Sequence, residues 1–251
     1  MSRRHRVRPE SDLARRGPSR KPRECLLIVC EGVETEPNYL GSLRRGIGLN
    51  TVEVEIVGQG AEIVGLVDEA IRRRKQREAE AEESNRRAPF DEVWCVADTE
   101  CCPDNPSWDR GVARANATGL KLAWSNPCFE YWLLLHFERI GCSFAGFAAI
   151  RSFLSKHIKN YSKSIDYFGQ LAHRIPAAID HSRQIHRSQW QNTPRSIDCN
   201  PATTLHELVE RLLEVAGMTI EEFQRRFPPI EEAPKKSAGR RGSSRTRKRS
   251  G

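Results

Sequence analysis

The chain has 251 residues, 38% of them hydrophobic, enough for one sizeable domain or one domain with a smaller helical extension. Its longest strongly apolar run, around Tyr131 to Phe137, is far shorter than the roughly 20 residues a bilayer span needs. The basic N-terminus lacks the apolar segment of a signal peptide, so neither a membrane role nor secretion is expected, and the cytoplasm is the expected location. The formal net charge of +8 is unevenly spread. Residues 1–23 carry nine Lys/Arg against two acids and residues 231–251 carry eight against two, which leaves −5 for the body between them. Runs such as Arg245 to Arg249, set among Ser and Gly, bury no apolar surface and are expected to be disordered. Basic arms of this kind give a salt-sensitive affinity for phosphate backbones or, more plainly, solubility.

In chain order, Cys25 to Cys30 is a continuous apolar run that ends at Glu31-Gly32, the pattern of a strand buried on both faces of a parallel sheet. Thr35 is placed to cap a helix with Pro37 in its first turn and Tyr39, Leu40 and Leu43 on one face. Val52 to Val57 alternates apolar and acidic residues, as an edge strand does. Ala61 to about Arg87 reads as a helix whose charged second half lies in solvent. Val93 to Ala97 is a second buried strand, ending in Asp98-Thr99-Glu100; a loop and a short helix near Arg110 to Ala117 follow, then a strand over Leu120 to Trp124. Ser125-Asn126-Pro127 opens an apolar helix through Phe137, with Asn126 suited to its N-cap and Pro127 to its first position. From residue 143 the pattern is mostly helical, with loops near Tyr161 to Phe168 and Arg187 to Asn200.

The expected fold is therefore α/β: a Rossmann-like parallel sheet flanked by helices, with a helical C-terminal part. The expected division is a basic arm over 1–23, an α/β core over 24–140, a helical extension over 141–228 and a basic tail over 229–251. Eight cysteines form no CxxC pair, and Cys101-Cys102 is poor zinc spacing, so reduced thiols are expected. The seven histidines form no metal pair, and His136 is expected to pack within its helix.

In open parallel sheets, ligands sit beyond the carboxyl ends of the strands. Three strand ends here carry polar groups: Glu31, the Asp98/Glu100 pair, and Ser125-Asn126. If the strand persists, Asp98 and Glu100 share a face. Converging carboxylates raise one another's pKa, and a hard divalent cation removes that cost. Such a metal suits phosphoryl chemistry, although acids at strand–helix turns also serve as plain caps. Glu36, in a first helical turn, is favoured there by the macrodipole alone. Glu130, one turn beyond Asn126, can reach the same edge or sit as a satisfied polar group in a buried helix.

Cys30-Glu31-Gly32-Val33-Glu34-Thr35-Glu36-Pro37-Asn38-Tyr39, then Trp94 to Glu100, Ser125 to Phe137, and Asn200 to Val209 resemble the signature blocks of RloB-like proteins. The likeness runs from about residue 20 to about residue 215. That resemblance implies a core similar to Toprim domains, in which a glutamate after the first strand and an Asp-x-Asp after a later one hold Mg²⁺ (or Mn²⁺). Glu31 matches the first position, and Asp98 with Glu100 the second; Glu100 departs from the usual aspartate by one methylene. Glu36 matches a second acid of the first block, where a second metal would be held. Lys163 resembles a recurrent basic residue that would steady developing phosphate charge. The implied activity is metal-dependent cleavage of DNA or RNA in prokaryotic defence against phage, often beside an ATPase partner protein. A nucleic-acid-binding or partner-docking module without catalysis stays open as the alternative. A nucleotidyl or phosphate transferase is a third reading; no P-loop is present, so the chain itself is not expected to be an ATPase.

Overall fold

The computed structural model describes residues 24–56, 62–84, 87–100, 105–193 and 195–229; both basic arms and the Cys101-Cys102 pair lie outside them. Five strands form one sheet in the order β2-β1-β3-β4-β5. These are β1 (Leu26–Cys30), β2 (Val52–Ile56), β3 (Glu92–Asp98), β4 (Lys121–Asn126) and β5 (Ala202–Thr203). The first four pair in parallel, and β5 is antiparallel to β4. The α/β architecture read from the sequence is the one found, with β2 at one edge of the sheet.

All five residues of β1 are buried because both faces of the sheet are covered. Leu27 and Val29 face a core shared with helices α2 (Ile63–Ser84) and α3 (Pro106–Ala117). Leu26, Ile28 and Cys30 face the larger core, built with α1 (Thr35–Ile47), α4 (Glu130–Leu135) and elements as distant as Phe223. The remaining helices, α5 (Phe147–Leu154), α6 (Phe168–Leu171), α7 (Ile175–Ile185), α8 (Leu205–Val215) and α9 (Ile220–Arg226), cover that second face. Among the described residues, no helix is long and apolar enough to cross a membrane.

Several local expectations are corrected. Thr35 does not cap α1: Glu34 holds the cap position without a side-chain bond, and the Thr35 hydroxyl turns to Glu130 instead. Asn126 is not a helix cap either. Ser125 and Asn126 continue β4 because they pair with Thr203 and Ala202, and the Asn126 side chain donates to Ile197 O at 2.8 Å. The following helix therefore starts only at Glu130, after a cis Asn126–Pro127 bond, and spans six residues. α3 begins earlier than its apolar pattern suggested, since Asn105 Oδ1 accepts from Ser107 N and Trp108 N and Pro106 fills the first turn. The two-residue β5 is too short to carry a periodic signal.

The charged half of α2 is not wholly solvated. Arg77 is 6% exposed, pairs with Glu53 of β2 and lies 4.3 Å from the Phe90 ring centroid. Arg77→Ala should cost about 2 kcal/mol, seen as a lower urea midpoint, because Glu53 would lose its partner while keeping part of its access to water.

Candidate functional site

The sheet register assembles the site. Cys30 pairs with Val96, and Glu31 N continues the ladder to Val96 O at 3.0 Å, which sets Glu31 beside the end of β3. Asp98, the last residue of β3, pairs with Ser125. Glu31 Oε2 accepts from Asp98 N at 3.2 Å, tying the two strand ends together. Glu36, in the first turn of α1, is buried at the same edge, and so is Glu130 at the start of α4. A cavity of about 260 Å³ is lined by Glu31, Val33, Glu36, Asp98, Glu100 and Lys163.

Five of the six candidate residues line that cavity. Glu130 lies behind it, 1% exposed. Its Oε1 accepts from Tyr161 Oη at 3.0 Å and Thr35 Oγ1 at 3.4 Å, with Lys163 Nζ at 3.5 Å. Glu100 arrives by a different route from the one expected. The strand stops at Asp98, and Glu100 sits in the left-handed region at φ 53°, its N–H bonded to Pro127 O at 3.1 Å. The two acids therefore do not share a strand face, and Glu100 is exposed.

The electrostatics are dominated by burial of carboxyl groups, reinforced by their crowding. Burial, above all, holds the Glu31 carboxyl up at about 7; the Asp98 N–H opposes the shift, while Glu100 and Glu36 add to it. Burial raises Asp98 well above the usual carboxylate range, reinforced by Glu36, Glu130 and Glu31. Glu36 is raised as well, by burial and then by Glu130. Burial alone would lower Lys163, but Glu130, with smaller help from Asp98 and Glu36, keeps its ammonium above the ordinary value. Among the described residues, neither Asp98 Oδ1 nor Glu130 Oε2, both buried, has a hydrogen-bond partner. Buried charged oxygens left in this way are costly unless something positive meets them.

His136 plays no part here. Its Nδ1 donates to Trp132 O at 2.9 Å and its Nε2 accepts from Tyr39 Oη at 3.1 Å, while burial pushes it down to about 3, leaving it neutral.

Among the described residues, no three carboxylate, histidine or cysteine side chains stand close enough together to hold a metal ion in their present rotamers. The donor chemistry nonetheless suits a hard divalent cation. Among the described residues, every side-chain donor at the cavity apart from Lys163 is an oxygen, and Asp98 has one oxygen with no hydrogen-bond partner. Sequence reasoning missed Tyr161 and the turn of Thr35 toward Glu130. Only the position of Tyr161, two residues before Lys163, could have pointed to it.

Searches of curated proteins and of solved structures return no match. The family model described as RloB-like protein matches residues 26–212, a span that holds every residue of the cavity. With three quarters of its length covered by that match, the chain belongs to the RloB-like protein family.

Proposed function

We propose that this protein is a metal-dependent nuclease that hydrolyses phosphodiester bonds of DNA or RNA. It would act in prokaryotic defence against phage together with an ATPase partner, as the family resemblance implies. The observation that carries the reading is the crowding of Glu31, Glu36 and Asp98 at one sheet edge beside Lys163, with Asp98 Oδ1 meeting no donor among the described residues. An acidic cluster of this kind disfavours a polyanionic substrate unless a cation stands between them.

Glu31, Asp98 and Glu100 would hold Mg²⁺ or Mn²⁺, with Glu36 available for a second ion. Bound there, the metal would supply positive charge to polarise the scissile phosphodiester. The protein's own groups do the rest. Glu31, at the end of β1 beside the cavity, would take the proton of the attacking water, unless water on the metal manages that proton itself. Lys163 places a positive charge where the phosphorane charge develops. Gly32 keeps space for Glu36, since a Cβ there would collide with both Glu36 carboxylate oxygens. Gly32→Ala should therefore swing Glu36 away and slow cleavage about 100-fold. Its melting temperature without metal should move by no more than a few degrees, which differential scanning fluorimetry would show.

The decisive experiment incubates the purified protein with labelled DNA, plasmid and RNA in Mg²⁺, Mn²⁺ or EDTA, with and without its ATPase partner. Cleavage that needs metal supports the reading and names the substrate class. Salt-sensitive binding that ignores EDTA, with no cleavage under any condition, would replace it with the binding-module alternative.

A further inference from the structure

The segment Tyr161 to Tyr167 lies between α5 and α6, outside the sheet, yet it supplies the positive charge at the acid cavity. Both its ends are fastened. At the start, buried Tyr161 donates to Glu130 Oε1 at 3.0 Å and stacks on Tyr167, whose hydroxyl accepts from Ser162 N at 2.9 Å. At the end, Asp166 accepts from Ser42 of α1 and from Phe168 N at 2.9 Å. Lys163 stands between these anchors, half exposed, with Nζ 3.5 Å from Glu130 Oε1 and 4.6 Å from the Phe147 ring centroid.

Three donors from two chain segments converge on the single oxygen Glu130 Oε1: Thr35 from the turn that carries Glu31 and Glu36, and Tyr161 with Lys163 from the 161–167 segment, a strap across this edge. A carboxylate used in that way ties the strap to the first acidic turn. Lone lysines on flexible stems lose much of their electrostatic effect to motion, and a fixed ammonium acts without reorganising as charge develops.

We propose that Tyr161 and Glu130 are positioning residues that hold Lys163 at the acid cavity, so that its ammonium meets the phosphate being cleaved. The inference rests on the nuclease reading and deepens it: Glu130 belongs to the lysine's anchorage, not to the groups that hold metal. Tyr161 acts through Lys163, with no contact of its own to substrate.

The test is a double-mutant cycle on the full chain with Tyr161→Phe, Lys163→Ala and the pair, with cleavage measured at saturating and limiting substrate. Lys163→Ala should lower kcat about 100-fold and Tyr161→Phe about 10-fold, with KM little changed. The double variant should be no slower than Lys163→Ala, because the tyrosine has nothing left to position. The rise in melting temperature on adding Mg²⁺ should be the same in all four proteins. Losses that multiply, or a Tyr161→Phe protein that no longer responds to Mg²⁺, would overturn the assignment. A second readout does not need cleavage: the rate at which an amine-reactive ester labels Lys163, followed by mass spectrometry. It should rise several-fold in Tyr161→Phe and in Glu130→Gln, and an unchanged rate would sink the positioning role. A wild-type protein that cuts nothing would remove the nuclease reading, while the labelling rates would still decide whether the strap fixes the lysine.

Discussion

Asp98→Asn and Glu31→Gln should each lower metal-dependent cleavage by at least about 10³-fold, roughly 4 kcal/mol of transition-state stabilisation. Both changes keep side-chain volume, so packing is preserved and the loss falls on charge. Asp98→Asn carries a second, opposite expectation. Asp98 ends β3 among three other acids, and among the described residues its Oδ1 meets no donor. Replacing this buried ionisable group by a neutral amide should stabilise the metal-free protein at neutral pH by about 1–2 kcal/mol, or about 4 °C in melting temperature for a chain of this size. The Mg²⁺-induced rise in melting temperature should shrink at the same time. An inactive variant that is also less stable would point to a structural role for the carboxylate. Full activity in either variant would remove that residue from the site.

Stability of the metal-free protein should fall, at the acid cluster, as pH rises. The Glu31 carboxyl is raised from 4.5 to about 7. Between those values the folded chain binds more protons than the unfolded one, so stability decreases with pH across that window. The full effect for Glu31 is about 3 kcal/mol at most. Asp98 and Glu36 are raised too and act in the same direction. Two buried imidazoles pull the other way: His136, pushed down to about 3, and His206, pushed down to about 4, both favour folding more as pH rises toward their unfolded value of 6.5. The measurable quantity is therefore the difference between wild type and Glu31→Gln in EDTA. It should be near zero at pH 4, grow in favour of the glutamine variant through pH 7, and largely close when Mg²⁺ is added. A difference independent of pH between 4 and 8 would mean that Glu31 is not held up in the folded state.

Much of the fold was legible because β1 and β3 are short apolar runs with nothing polar to compete, and each ends on an acid. The cavity's address followed from that, since parallel strands deliver their carboxyl ends to one edge. What escaped was set by tertiary contact. Asn126 and Pro127 form a good helix opening by local preference, but pairing with Ala202, next to the Ser125–Thr203 pair, keeps Asn126 in the sheet. Thr35 has the chemistry of a cap and is drawn instead to a carboxylate 95 residues away. Glu100 looked like the face-mate of Asp98 until the backbone turned left-handed after Thr99. Arg77 sits in a run of charge that no periodicity distinguishes, and only its meeting with Glu53 and Phe90 buries it.

The links at the acid edge join residues far apart in the chain: 67 positions separate Glu31 from Asp98, and 95 separate Thr35 from Glu130. Contacts of such long range are expected to form late, because loop closure must be paid before they reward it. A partly folded chain keeps these acids apart and hydrated, so the cost of burying and crowding them should be absent from the barrier to folding and felt only in the finished molecule. Its effect is then kinetic as well as thermodynamic: it hastens unfolding and leaves the folding rate nearly untouched. A cation that quenches it lengthens the lifetime of the native state without helping the chain to reach it.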